Sequence, residues 1–476
     1  MGVALVWFRD DLRLDDHPAL RAALDRGLVP VPVYIHAPDE EGAWAPGAAS
    51  EAWRRHSLAA LAAALEARGS RLLMLHGPSL GTLQAVAALT GAEAVLWNRR
   101  YEPHIEARDT RIKRQLRQAG LHAESFNGSL LFEPWEIETK QGDPYRVFTP
   151  FWKNALAQWR LRPRWEAPAR LPSPDQAGAP EGRHLDAIVP GTRPDWDAGF
   201  WEEATPGEAG ARARLQAFLA HGLRGYAQAR DCMAEDGTSR LSAHLHFGEI
   251  SVQRVAAAVQ EADVPAPDRE RFLAELGWRE FAHHVMHHYP HVVDQDLDPR
   301  MAGFRWARPL RATLDAWERG RTGVPVIDAG MRQLWHTGWM HNRVRMIVAS
   351  WLAKHLRIHW LHGARWFWDT LVDADLANNT QGWQWAAGTG ADAAPYFRVF
   401  NPVSQAMKFD PQGRYIARWL PELAPLPLPA RFAPWQHPEL LRRVAPRYPR
   451  RPQVDLAEGR AAALEAFAAL RAGRED

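Results

Sequence analysis

The sequence predicts two unlike domains in one chain of 476 residues, an α/β domain with a doubly wound parallel sheet and a larger, mainly α-helical domain after it. Over the first 130 residues, short β-branched apolar runs alternate with helical patterns, as in a parallel sheet covered by helices on both faces. From Arg162 to Pro206 the density of Pro, Gly, Ala and charge rises while periodicity fades, which marks a connection across the surface. Beyond it, helical periods follow one another with few strand signals. The expected organisation is 1–130 for the sheet domain, 131–206 for the linker and 207–476 for the helical domain.

Strands are expected at Val3–Trp7, Val29–Ile35, Leu72–Leu75 and Ala94–Trp97. Asp16 and Pro18 read as a helix start that Gly27 stops, and Leu58, Leu61 and Leu65 place one apolar stripe on a second helix. No Gly-x-Gly-x-x-Gly follows the first strand, so the sheet lacks the usual dinucleotide fingerprint. In the second domain, Glu208–Leu223, Ser251–Glu261, Arg269–His288, Val326–Leu356 and Gly363–Leu371 read as helices. Leu456 to Arg471 is a last Ala/Leu-rich helix ending at Gly473.

A hydrophobic content of 46% fills large cores, and no apolar run approaches the roughly 20 residues of a membrane span. Met1 to Trp7 runs straight into a strand without a basic leader, so a cytoplasmic location is expected. The lone Cys232 excludes an internal disulfide and a multi-cysteine metal or iron–sulfur site. A net charge of +2 only permits a DNA partner, although Arg431 to Arg451 is arginine-rich. The 23 tryptophans ask for an explanation, because each buried indole N–H needs a partner.

Gly237-Thr-Ser-Arg-Leu-Ser242 opens a helix-like stretch whose hydroxyls and backbone N–H groups suit either a pyrophosphate or an ordinary cap. Glu275-Leu-Gly-Trp-Arg-Glu-Phe281 puts an acid, an indole and a guanidinium on one helix face. That suits a planar ligand, or else an intrahelical Glu275–Arg279 pair beside a core Trp278. His283, His284, His287 and His288 form i, i+4 pairs that read as a polar helix face or, with a third ligand, a zinc site. Trp339-Met-His-Asn-Arg-Val-Arg-Met346 lines a pocket or a helix junction. Asp373-Ala-Asp-Leu-Ala-Asn-Asn-Thr-Gln-Gly-Trp-Gln-Trp385 reads as a loop whose acids, amides and indoles face a ligand.

Taken in order with Val6-Trp-Phe-Arg-Asp-Asp-Leu-Arg-Leu14, Asn98-Arg-Arg-Tyr101, Phe397-Arg-Val-Phe-Asn-Pro402 and Lys408-Phe-Asp410, these motifs resemble the photolyase/cryptochrome family. They are most similar to the bacterial class I-type photolyases of cyclobutane pyrimidine dimers. The resemblance implies FAD in the helical domain and a place for a second, light-harvesting pigment on the sheet domain. By motif match, Tyr226, Thr238, Ser239, Leu241, Ser242, Arg279 and Trp339 would hold the flavin. Arg345 would pair with Asp373, Asp375 would hydrogen-bond the ring, and Asn379 would sit at N5, where light-sensing plant members carry Asp.

The same resemblance implies a dimer pocket of Glu275, Trp278, Asn342, Met346 and Trp385, with the lesion flipped out of the duplex. Relatives that repair the (6-4) photoproduct carry two histidines at positions 342 and 346. Trp383, Trp360 and Trp306 match the family's electron-transfer series, and Arg230, Arg343, Arg398 and Lys408 its phosphate contacts to damaged DNA. Phe272 stands where many bacterial relatives have Trp. The folate-binding pattern of Asn-Glu shortly after Tyr-Glu is not reproduced at Tyr101-Glu102-Pro103-His104, so folate bound otherwise, a deazaflavin, a second flavin or no antenna all stand. The activity implied is light-driven repair by a monomer without resident metal; the rival reading is a cryptochrome signalling through a protein partner.

Overall fold

A computed structural model describes residues 2–189, 196–396 and 398–472. Met1, part of the expected linker, Phe397 of the Phe397–Pro402 motif and the expected helix stop Gly473 lie outside the described residues. Five parallel strands form the sheet, β1 Val3–Phe8, β2 Val29–His36, β3 Leu73–His76, β4 Ala94–Asn98 and β5 His122–Phe126, in the order β3-β2-β1-β4-β5. Every residue of β1 and β2 is buried, as a strand covered on both faces requires. Helices Pro18–Asp25, Ala48–Glu66, Ser79–Thr90 and Pro103–Gln118 connect the strands. Leu58, Leu61 and Leu65 are buried on the second of these, as their spacing predicts.

Strand β5 escapes sequence reading. Its His-Ala-Glu-Ser-Phe run has no β-branched residue, and as an edge strand it pairs only with β4. The first helix is capped by His17, whose ring accepts from Leu20 N–H, and not by Asp16, which sits at φ +50°.

The helical domain follows its predicted outline with four corrections. The expected helix over 326–356 is two, Pro325–Thr337 and Asn342–Ser350, the second running on into a π turn at Trp351–His355. Gly338 at φ +65° ends the first, and the His341 ring caps the second by accepting from Arg343 N–H. The segment expected as a loop over 373–385 is mostly the helix Leu376–Ala387, whose N-cap is the Asp375 carboxylate. Its Asn-Asn-Thr-Gln run masks the helical period because such residues favour caps and turns. Thr238 and Ser239 cap nothing: the short helix Ser242–His246 begins at Leu241 without a side-chain cap. Finally, the expected linker contains the helix Phe148–Gln158, whose Phe148, Phe151 and Trp152 join Phe272, Leu276 and Phe281 in one core. Among the described residues no helix is long and apolar enough to cross a membrane.

The two domains meet at Arg13, which is buried. Its guanidinium donates to the carbonyls of Asp15, Asp16, Gly128 and, in the helical domain, Gly248. Asp16 in turn takes Arg162 at 2.6 Å and the Ser251 hydroxyl, and Asp15 takes Arg254. Arg13→Met keeps the volume and deletes every donor, leaving buried carbonyls unpaired at about 1–3 kcal/mol each. Stability to urea should fall by about 3 kcal/mol or more; an unchanged midpoint would deny this junction its structural weight.

Candidate functional site

The helix Ala266–His288 carries Glu275, Trp278, Arg279 and His283 toward one region. Trp278 stacks on Phe148 with centroids 3.8 Å apart and planes 10° apart. Glu275 does not pair with Arg279: it accepts from Arg230 at 2.5 Å and lies 3.5 Å from Arg271, while Arg279 donates to Ser129 O at 2.8 Å. Arg230 is buried and lies 5.8 Å over the ring of Tyr226, itself packed edge-on to Phe272.

A second group forms beside it. Arg343 pairs with Asp231 at 2.7 Å, lies 4.4 Å over Phe409 and brings one nitrogen to 3.7 Å from Met346 Sδ. Lys408 is 5.1 Å from the same Phe409 ring, and the Asn342 amide faces Met346 Sδ at 4.0 Å. Of the four expected DNA contacts, Arg343 and Lys408 thus share one aromatic surface. Arg398 is exposed, its carbonyl held by the buried Lys354 ammonium at 3.0 Å.

Three polar positions converge behind these walls. Arg345 pairs with Asp373 at 2.8 Å, and the other carboxylate oxygen of Asp373 is buried without a partner. One Asp375 oxygen accepts from Asn378 N–H at 2.8 Å as the helix cap, and the other faces His283 at 3.4 Å and His246 at 4.0 Å. Asn379 donates its amide to Ala364 O at 2.9 Å, which leaves its amide oxygen for a ligand. Trp339 lies under Arg240 at 4.2 Å, and Trp385 is half-buried with Phe400 6.5 Å away. Leu241 is buried, Ser242 is exposed, and the Thr238 and Ser239 carbonyls are taken by Arg214.

Among the expected electron-transfer residues, Trp360 is buried and donates to Asp296 at 2.7 Å. The His359 ring stands 5.4 Å from Trp360 and 5.1 Å from the half-buried Trp306, so an imidazole lies between these two indoles. Trp383 is buried against Phe367 at 5.0 Å and Trp317 at 6.1 Å.

The four clustered histidines diverge rather than forming a polar face. His283 and His284 are buried, facing Asp375 and the Pro134 carbonyl, and His287 lies 3.4 Å from Glu106 of the sheet domain. Among the described residues no three ligating side chains gather as a metal site. His283, His246 and Phe148 are the partners that sequence reasoning missed. The first lay inside the noted cluster, whereas nothing in the sequence pairs Phe148 with Trp278.

In the sheet domain, Arg100 gathers Asp10, Glu41 and Glu102 at 3.1, 3.0 and 2.8 Å. They stand beyond the C-terminal ends of β1, β2 and β4, where the strand order reverses and open α/β sheets hold ligands.

A parallel-sheet domain joined to a helical one, with unpartnered polar atoms behind an aromatic wall and basic residues nearby, defines a two-domain cofactor-binding protein. Residues 4–174 match the DNA photolyase family and residues 272–469 the FAD binding domain of DNA photolyase. A deoxyribodipyrimidine photo-lyase of Agrobacterium fabrum is 44% identical over 474 residues, 98% of each chain. Cryptochrome-2 of Arabidopsis thaliana is 38% identical over 91% of this chain and 73% of its own. A bacterial class III photolyase from Agrobacterium tumefaciens superposes with a TM-score of 0.94 at 43% identity, over 99% of this chain and 98% of that one. An archaeal photolyase from Sulfolobus tokodaii, described with two FAD molecules, does so with 0.83 at 28% identity, over 98% and 99%. The chain belongs to the photolyase/cryptochrome family. The similar Agrobacterium structure is described as class III, where the sequence resemblance was to class I-type enzymes.

The residues present fit FAD. The unpartnered Asp373 oxygen is buried, and the amide oxygen of Asn379 can accept from a flavin N–H.

Burial alone would lower the His283 pKa, but the facing Asp375 carboxylate more than offsets it and raises the value. Burial likewise opposes ionisation of Asp375, and His283 outweighs it, holding that carboxyl far below the usual range. A histidine with a raised folded pKa contributes stability in full below its unfolded value of 6.5, and loses it as pH rises through the folded one. His283→Leu should therefore remove a stability loss seen in the parent protein as pH climbs above 6.5, read from urea midpoints across pH. Parallel curves for parent and variant would contradict the pairing.

Proposed function

We propose that this protein repairs cyclobutane pyrimidine dimers in DNA by light-driven electron transfer, with FAD as its cofactor. The observation that carries the reading is a similarity to a deoxyribodipyrimidine photo-lyase over 98% of both chains, together with an aromatic and acidic pocket beside basic side chains. FAD, when bound and reduced, supplies under blue light the electron that opens the cyclobutane ring and then recovers it.

The protein's own residues bind, orient and exclude water. Trp278, held flat by Phe148, and Trp385 replace the stacking that a flipped lesion loses. Glu275, positioned by Arg230, hydrogen-bonds the lesion with Asn342, and Met346 fills the space beside it. Arg343, Arg398 and Lys408 grip phosphates, while Arg230 stands behind them on Glu275. Tyr226, Thr238, Ser239, Leu241, Ser242, Arg279 and Trp339 enclose the cofactor, while Arg345, Asp373, Asp375 and Asn379 meet its polar edge. Trp306, Trp360 and Trp383 carry electrons inward when the cofactor is oxidised. Asn342 and Met346, where (6-4) enzymes carry histidines, support the cyclobutane lesion as substrate.

A second chromophore is proposed for the sheet domain, of folate, deazaflavin or flavin type. The divisions at 130 and 206 remain the proposed domain limits, with the helix Phe148–Gln158 packed on the helical side. A cytoplasmic monomer is proposed, in keeping with a single Cys232 and both domains on one chain.

The test is recovery of intact thymines from a dimer-containing oligonucleotide by the reduced, FAD-loaded protein in blue light and in darkness. Repair should need light and fall several-fold in Glu275→Ala. Trp278→Ala should weaken damaged-DNA binding about tenfold or more, the scale of losing a base–aromatic stack. Photoreducible FAD without any repair would establish the cryptochrome reading instead. Arg343→Ala should loosen damaged and undamaged DNA alike and reduce the salt slope of binding by about one; unchanged affinity in a titration at fixed salt would remove Arg343 from the DNA surface.

A further inference from the structure

A cavity of about 490 Å³ lies where the helix Leu456–Ala472 crosses the segments 307–313 and 355–358, away from the proposed lesion pocket. Leu356 and Ile358 give it an apolar floor, while Arg308, Arg357, His355 and Glu458 supply its polar lining. Two features, position and charge, point to an occupant.

The first is position. Ala307 lines the cavity and donates its N–H to Arg357 O at 2.7 Å, and Trp306 is the residue before it in the chain. Trp306 is the half-buried outer member of the proposed electron-transfer series. The second is charge. Arg308 and Arg357 face the cavity, and Arg305 is exposed on the other side of Trp306. None of the three is ion-paired among the described residues, whereas the nearby acids Asp315 and Glu318 are both tied to Arg311. Against these arginines stands the single carboxylate of Glu458, so the local balance is positive. His355 is only 4% exposed, lines the cavity and stacks its ring on Trp351 at 4.8 Å. Burial outweighs a backbone hydrogen bond at Ser350 and, with Lys354 adding to it, pushes its pKa down to about 4, so the cavity wall here carries a neutral imidazole.

We propose that this cavity binds the anionic electron donor that restores Trp306, a small enediolate of the ascorbate type. The inference rests on the electron-transfer reading of Trp306, Trp360 and Trp383. One electron passes from the bound monoanion to the oxidised indole. The donor leaves as its one-electron-oxidised radical and its proton goes to solvent; no bond to the protein forms or breaks. Arg308 and Arg357 raise the local concentration of an anion beside Trp306 and leave a neutral donor unaffected.

The experiment is flash photolysis of the oxidised, FAD-loaded protein, following the decay of the tryptophan radical against concentration of ascorbate or of dithiothreitol, which is uncharged at pH 7. In the parent protein the decay rate should saturate with ascorbate and rise linearly with dithiothreitol. Arg308→Gln/Arg357→Gln should slow the ascorbate reaction about tenfold at low salt and leave the dithiothreitol reaction unchanged. A linear ascorbate dependence with equal rates in parent and variant overturns the site. Equal slowing with both donors also overturns it, since the arginines would then act on the indole itself. Trp306→Phe separates the two levels. A long-lived surface radical that persists in that variant overturns the electron-transfer reading, and the site with it. If the radical disappears there, the series stands, and only the donor-charge comparison decides the site.

Discussion

Arg13 is the interaction on which the rest of the molecule is hung. A buried guanidinium offers five donors in a rigid fork, and here four carbonyls from both domains accept from it. One of these, Gly128 O, begins a short stretch that runs directly to the site. The next residue, Ser129, accepts from Arg279, and the Leu131 and Phe132 N–H groups donate to the buried Glu280. The stretch 128–132 therefore registers the helix Ala266–His288 at Arg279 and Glu280, and with it the azimuth of Glu275 and Trp278. Glu249 repeats the device on the far side, where its carboxylate takes the Trp53 indole N–H and the Gly207 N–H. A cofactor domain held this way meets its ligand without first having to reorganise, which is the condition under which fixed dipoles and charges act strongly on a reacting group.

Charge in the interior is arranged as pairs rather than as a field. Asp375 faces His283, Asp373 holds Arg345, and Glu275 holds Arg230. Each pair is expensive to desolvate, and each would be more costly still if one member were missing. Their shared effect is to fix the orientation of three acids of one region, and the second oxygen of Asp373 is buried without a hydrogen-bond partner. His283 also shows how the domains communicate. Its ring stands edge-on to Tyr101 of the sheet domain, 6.2 Å away, and Tyr101 donates to Glu133 in the connecting stretch.

Much of this was legible in the sequence, for identifiable reasons. Strands β1 to β4 are runs of β-branched and apolar residues, and the helical periods of the second domain follow from packing on one face. The positions of Glu275, Trp278, Arg345 and Asp373 came from ordered motifs, and the structure brings Arg345 to Asp373 as the resemblance implied. What was missed depends on partners distant in sequence. Asp375 was read as a ligand in a loop when it also caps a helix, because a carboxylate before Asn-Asn gives the same letters for both roles. Phe148 lay in a stretch read as linker, since one helix with a short aromatic stripe has little period to show. Arg230 was read as facing phosphate, whereas a glutamate 45 positions on draws it inward.

The tryptophan excess finds its reason in close packing as much as in chemistry. Trp7 and Trp97 meet edge to face inside the sheet domain, with Arg9 and Arg108 over Trp7. In the helical domain Gly363 lies against the Trp383 indole so closely that an added Cβ would fall 2.0 Å from it. Only glycine allows the helices Trp360–Thr370 and Leu376–Ala387 to approach to that degree. Trp360 stands one turn before Gly363 on the same helix, so the contact that packs the core also sets how far Trp383 lies from Trp360. Electron transfer between indoles depends steeply on such spacing, and a well-packed interior holds it to a fraction of an ångström. Stability and the proposed electron path thus share one constraint on this pair of helices: the close approach that excludes a methyl group at position 363 also sets the spacing such a path would use.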